Sequence, residues 1–241
     1  MKVLVSKIVS EWTQIWKKTQ ITIRKPLDQL DKNQLQTLEH DLWIPLEPLC
    51  VQDYRGLFYD FIKDVESEQS FRSSTHYFES SPTLLVKSIL EKVSLKPGQV
   101  FVDLGGGIGQ VGLIAALMQP KLKANIAIDI FAEGLEHGAA FLKRTYFPYP
   151  IKFIEDDFYK NKNIFRKGDV FYHYVALSRK GLIKLVERWI ENSKSGSKFI
   201  LIDDFEREKD LKTIPQVRLS VFENNQYFSR RNHKAFVLTK K

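Results

Sequence analysis

The chain has 241 residues with 43% hydrophobic and 27% charged side chains, an ordinary globular composition that suits one large domain or a core with an appendage. Its single cysteine, Cys50, excludes an internal disulfide and a cysteine-based zinc cluster, and no apolar run approaches the roughly 18–20 residues that span a bilayer. A formal net charge of +8 favours an acidic partner (nucleic acid, a protein bound to it, or an anionic surface), with a plain solvated face as the alternative.

Residues 3 to 16 place Val5, Ile8, Val9, Trp12, Ile15 and Trp16 on one helical face, with Lys2, Lys7, Lys17 and Lys18 elsewhere. Such a helix suits a membrane surface or a targeting signal, but Glu11, the lack of arginine and the lack of a cleavage site favour packing on the core. The stretch from Leu27 to about Phe71 is mixed, with a rigid turn at Trp43-Ile-Pro-Leu-Glu-Pro48 and a helix expected over 53–65. Residues 1–75 therefore read as a helical N-terminal lobe and 76–241 as the core.

Regular alternation begins at Ser80-Ser81-Pro82, a helix-start signal followed by an apolar stripe of Leu84, Leu85, Ile89, Leu90 and Val93. Lys96-Pro-Gly98 breaks that helix, and Val100–Leu104 is the first strand. Next come a helix over Gln110–Met118 stopped by Pro120, a strand over Ala124–Asp129, a helix over 132–146 and a strand over 151–155. A fourth strand over 170–176 leads to a helix over 180–192, with Leu182, Ile183, Leu185, Val186 and Trp189 inward. A strand over 199–202 and a hairpin of Val217–Phe222 with 235–238 close the chain. This order predicts an α/β, doubly wound, Rossmann-like sheet of seven strands with ligands at the carboxyl ends.

The segment Val100-Phe-Val-Asp-Leu-Gly-Gly-Gly-Ile-Gly-Gln110 carries the chemistry. Gly105, Gly107 and Gly109 let a backbone turn approach a ligand that a β-carbon would exclude. Asp103, at the strand end, decides which ligand. A carboxylate there repels the pyrophosphate of a dinucleotide and attracts the ammonium and sulfonium of S-adenosylmethionine. Asp129 ends the second strand where an acid accepts from both ribose hydroxyls, a helix cap being the alternative. After the third strand, Asp157 and Phe158 suit the adenine amino group and ring, although Glu155-Asp-Asp157 also fits a solvated loop end. A closing antiparallel pair matches the seven-stranded methyltransferase sheet better than the six parallel strands of a dehydrogenase.

The fourth strand runs into Tyr172-His-Tyr-Val-Ala-Leu-Ser178, which faces the methyl group to be transferred. The chain has no Asn/Asp-Pro-Pro-aromatic loop there to accept an exocyclic base amine, and Cys50 lies far from this segment, so cytosine carbon-5 attack has no nucleophile. His173 reads as a general base, an acceptor-positioning group or a hydrogen-bonded strand residue. No metal-ligand set is read.

Tyr77-Phe-Glu-Ser80, the helix from Leu84 and the strand-turn Val100–Gln110 together resemble the disruptor-of-telomeric-silencing family, the non-SET histone lysine methyltransferases. The similarity covers about residues 70 to 205. In that family a Tyr-x-Glu-Thr/Ser loop closes over the cofactor, which implies that Glu79, Ser80 and Gln110 join Asp103 in binding S-adenosylmethionine. Asp157-Phe158 is similar to the family's adenine-contacting pair, and His173 stands where the family has an asparagine lining the lysine channel. The resemblance implies channel walls of Tyr77, His173 and Tyr174 and a protein or nucleoprotein substrate. A small-molecule or RNA methyltransferase and a non-catalytic cofactor-binding protein are the alternative readings. The location expected is intracellular and cytoplasmic, or nuclear in a eukaryotic cell.

Overall fold

The computed structural model describes residues 2–43, 81–174, 179–204, 207–222 and 233–241. The expected turn at Trp43 to Pro48 and the helix over 53–65 lie outside the described residues, except for Trp43 itself. Helix α1 (Lys2–Arg24) and α2 (Lys32–Trp43) lead to α3 (Thr83–Val93). The alternation then runs β1 (Val100–Leu104), α4 (Gln110–Met118), β2 (Ala124–Asp129), α5 (Ala132–Arg144), β3 (Lys152–Glu155), α6 (Lys162–Lys167), β4 (Val170–Tyr174) and α7 (Arg179–Asn192). It closes with β5 (Lys198–Asp204), α8 (Arg207–Lys212), β6 (Val217–Phe222) and β7 (His233–Lys240).

Seven strands form one sheet in the order β3-β2-β1-β4-β5-β7-β6, with β7 antiparallel to both neighbours. The strand order reverses beside β1, so the carboxyl ends of β1 and β4 open onto the crevice where such sheets bind ligands. Strand residues alternate between two cores. Phe101, Tyr172, Ile200 and Val237 join α1 to α5 on one face; Val102, Leu104, Phe171, Phe199 and Leu201 join α6 to α8 on the other.

Helix α1 packs on the core, with Trp16, Thr19 and Ile23 buried at helical spacing. Trp12 and Trp16 meet the edge of Phe141, at 6.3 and 6.5 Å between ring centres. Trp16 Nε1 donates to the Thr145 carbonyl at 2.7 Å, and Arg24 Nε to that of Leu117 at 2.9 Å. The buried Lys87 holds the end of α1, donating from Nζ to the Lys25 carbonyl at 2.7 Å and pairing with Glu91. Ile15 is 40% exposed and lies off the buried face, because the contact line runs through 12, 16, 19 and 23.

Several boundaries differ from the sequence expectation. Helix α5 stops at Arg144 because the chain turns at Tyr146, whose φ of 51° is left-handed. Strand β5 is longer than 199–202 because β7 pairs with it along all seven residues. Strand β4 is described to Tyr174, and 175–178 lie outside the described residues. Among the described residues, no helix is long and apolar enough to cross a membrane.

Candidate cofactor site

The glycine turn is fixed to the end of β2. Gly105 and Gly106 amides both donate to the Ile128 carbonyl, at 2.9 and 3.0 Å, and Gly109 N closes the turn on the Gly106 carbonyl at 2.7 Å. Gly105, Gly107 and Gly109 have φ of 81°, 46° and 81°, a region that L side chains rarely adopt. A Cβ on Gly109 would also stand 2.7 Å from the Phe153 ring. Gly106, which the glycine spacing alone does not single out, is needed for packing: its Cβ would stand 2.8 Å from that of Ala127.

Asp103, next to last in β1, lies on the α3/α4 face and is 3% exposed. Burial first, and the nearby Asp129 carboxylate second, push its carboxyl up to about 8. Asp129 ties the turn together: Oδ2 accepts from Gly107 N at 2.9 Å and Oδ1 from Phe131 N at 3.1 Å. The acid expected to bind ribose thus also holds the glycine turn and the entry to α5.

Tyr172 lies level with Asp103 across the β1–β4 pair, and its hydroxyl donates to Ser81 Oγ at 2.8 Å. Burial raises the Tyr172 hydroxyl well above its usual range. Gln110 is buried at the start of α4, with Nε2 3.5 Å from Thr83 Oγ1 and Oε1 unpartnered among the described residues. The chain leading into α3 is therefore held against the floor formed by Asp103. Ser81-Pro82 signals only a helix start and Tyr172 carries no motif; the β1–β4 register and the Tyr172–Ser81 bond bring them beside Asp103.

His173 and Tyr174 are adjacent in β4 and face opposite sides of the sheet. Tyr174 is half-buried on the Asp103 face, whereas His173 packs edge-on against Phe158 at 5.8 Å. His173 Nδ1 lies 2.8 Å from the Leu104 carbonyl. A carbonyl only accepts, so Nδ1 carries the proton; burial lowers the ring's pKa to about 4, which leaves Nε2 a lone pair. That Nε2 is buried and unpartnered among the described residues. Phe158 also stacks on Tyr159, at 5.0 Å. Asp157 Oδ1 accepts from Tyr159 N at 2.8 Å, and Asp156 accepts from Asp157 N and Asn161 Nδ2, so this acidic run is an ordered turn. Tyr77, Glu79 and Ser80 lie outside the described residues.

The donor set fits S-adenosylmethionine. Gln110 Oε1, buried and without a donor among the described residues, and the buried Asp103 carboxyl flank the glycine turn, and an ammonium would satisfy the first and favour the ionised form of the second. A family model described as histone methylation protein DOT1 matches residues 62–232. The chain is 27% identical over 126 residues to the H3 lysine-79 specific histone-lysine N-methyltransferase of Eremothecium gossypii, covering 49% of this chain and 19% of that one. It thus spans about a fifth of that relative's length. TrmN from Thermus thermophilus superposes with a TM-score of 0.55 at 20% identity, covering 68% of this chain and 50% of that one. An RNA methyltransferase from Salinibacter ruber, in complex with S-adenosyl-L-homocysteine, superposes at 0.52 with 17% identity, covering 67% and 94%. At these identities the structural likeness is one of fold.

Proposed function

The chain belongs to the histone methylation protein DOT1 family, and on that premise we propose that it is a methyltransferase that moves a methyl group from S-adenosylmethionine to a lysine of a protein or nucleoprotein. The observation that carries the reading is the family match, which spans the acid-tipped strand, the glycine turn and the buried acceptors beside it. The cofactor is S-adenosylmethionine, which supplies a methyl group bound to a positively charged sulfur. Asp103 and Gln110 Oε1 take the ammonium end, and Gly105, Gly107 and Gly109 admit the ligand to the backbone. Asp129 takes the ribose, and Asp157 with Phe158 the adenine.

In-line displacement asks the enzyme for alignment and exclusion of water more than for a strong base. S-Adenosylmethionine, when bound, would give up its methyl group with the bonding pair kept by sulfur, so the lysine must arrive neutral with its own pair free and would shed the extra proton to solvent afterwards. A narrow apolar passage favours that form by burial. In this reading Tyr77, Glu79 and Ser80 cover the site and Tyr174 lines the passage from the Asp103 face. His173 positions the end of β1 through the Leu104 carbonyl. The partner is a folded protein, alone or with nucleic acid.

The test is to incubate the protein with methyl-labelled cofactor and a cell extract, then separate protein, nucleic acid and small molecules. The expected label is on lysine in protein. Label confined to RNA or metabolites overturns the lysine acceptor and leaves the methyltransferase; cofactor binding with no labelled fraction overturns both.

A further inference from the structure

At the opposite end of the sheet from the glycine turn, where the parallel strands begin, cations from three elements converge. Lys198 opens β5, and the pairings Lys198↔Thr239 and Arg218↔Thr239 set these residues in one row across β5, β7 and β6. Lys198 shares a face with Ile200 and Ile202, and Arg218 with Ser220 and Phe222, so the row lies on the side that α3 covers. Helix α3 ends there. Lys198 Nζ donates to the Val93 carbonyl at 2.8 Å, and Lys96 Nζ to Ser94 Oγ at 2.9 Å. Lys92 Nζ reaches the other way along the sheet, to 4.7 Å from the ring centre of Phe222, which is level with Ile202, and so stands outside this group.

This convergence carries a free-energy cost, because like charges repel most where solvent is partly excluded. The Lys198 ammonium is held below the usual lysine range by burial first, then by Lys96 and Arg218. Among the described residues, none of Lys96, Lys198 and Arg218 is in an ion pair. The one acid of α3, Glu91, is paired with Lys87. Lys96 and Arg218 are exposed and Lys198 is half-buried, with Ser94 and Ser220 also exposed.

We propose that Lys96, Lys198 and Arg218 form a docking surface for the phosphodiester backbone of a nucleic acid. A protein partner would need an apolar anchor at the centre of its interface, and this row offers cations and hydroxyls, the groups that contact phosphates. The surface is separate from the cofactor crevice by the length of the sheet, so it binds a polymer without touching the residues that hold S-adenosylmethionine.

The test measures fluorescence anisotropy of a labelled DNA duplex and of a single-stranded RNA of equal length, each titrated with the full chain at several salt concentrations. The variant Lys96→Gln/Arg218→Gln is compared with Lys143→Gln/Arg144→Gln, which removes the same charge from exposed positions at the end of α5. The first pair should weaken binding by about tenfold and reduce the slope of log affinity against log salt by roughly 1.8 on the duplex and roughly 1.4 on the single strand, at about 0.9 and 0.7 per lost phosphate contact. The control pair should leave the slope unchanged. Calorimetry with S-adenosylmethionine should show equal cofactor binding in both variants. A preference for duplex or for RNA identifies the source of the phosphates. Equal losses in the two variants, undiminished binding by the first, or stronger binding of polyglutamate than of either nucleic acid would overturn the proposal.

Discussion

Asp103, one residue before the end of β1, and Asp129, the last residue of the neighbouring parallel β2, are close enough that the Asp129 carboxylate adds to burial in raising the proton affinity of Asp103. Their surroundings set their roles apart. Backbone amides of Gly107 and Phe131 point at the oxygens of Asp129, while Asp103 is buried with a second acid as its neighbour. The cofactor-free site thus holds an acidic group that is most at ease as an acid. A bound ammonium reverses that preference.

This makes stability and cofactor affinity respond oppositely to pH. Burial and the Asp129 carboxylate push the Asp103 carboxyl from the ordinary 3.8 up to about 8, so the native protein binds the proton more tightly. The apo protein therefore loses stability as pH rises from about 4 to 8. Asp103→Asn should raise the apo Tm at pH 8 and leave it nearly unchanged at pH 4. The same substitution should weaken S-adenosylmethionine binding by about 1.5–3 kcal/mol, the scale of a charge-assisted hydrogen bond. In the unaltered protein, affinity should climb to a maximum near pH 8, above which an α-ammonium with a pKa of about 8 loses its own proton. Calorimetry from pH 6 to 9 checks this; a flat profile would show that Asp103 is not the ammonium's partner.

Asp129 has a structural task whichever ligand it meets. Asparagine keeps one acceptor oxygen and turns an NH2 toward one of the two amides. Asp129→Asn should lower apo stability by roughly 1–3 kcal/mol, the cost of an unmet buried donor. It should weaken the cofactor further. Thermal melts with and without S-adenosylmethionine separate the two effects; an unchanged apo Tm would mean that the Gly107 and Phe131 bonds contribute little.

Much of this was legible in the sequence, and the reasons differ by element. Strands β1, β2 and β6 and helix α4 stand where period and breakers put them, since each is a short apolar run between Gly, Pro or polar punctuation. The six-residue helices α6 and α8 have too few turns to display a period, and α2 lies within mixed text. Ile15 reads as a core residue only while α1 is taken to end near residue 16. Over its full length to Arg24, the stripe rotates away from it. In the site, Asp103 and the turn announce themselves through local order. The Tyr172–Ser81 bond spans 91 residues and depends on strand register, which one sequence does not reveal.

Gly138 shows what close packing demands. In α5 its position faces the backbone of Ile108 inside the glycine turn, and a Cβ there would overlap the Ile108 carbonyl oxygen. Backbone cannot swing aside as a side-chain tip does. Gly138→Ala should therefore destabilise the protein by about 1–3 kcal/mol, despite alanine's better helix propensity, and weaken cofactor binding by displacing the turn. A stability gain in thermal melts, which propensity alone expects, would show that α5 shifts without strain.

His173 is the residue whose substitution best tests how the end of β1 is held. Its Nδ1–H meets the Leu104 carbonyl, and an asparagine amide offers a donor near the same place. Asparagine is also what the similar family carries at this position. His173→Asn should retain most of kcat and stay within about 0.5 kcal/mol of normal stability at pH 7, whereas His173→Ala should lose about 1–3 kcal/mol and lower kcat more than cofactor affinity. The pH dependence gives a second readout. A folded pKa near 4 against 6.5 means that the unfolded chain binds the proton more tightly, so stability falls as pH drops from about 6.5 to 4. His173→Asn should flatten that part of the curve. If His173→Asn instead abolished turnover with Tm and cofactor affinity intact, Nε2 would be handling a proton in the reaction, and His173 would be a catalytic residue rather than a positioning one.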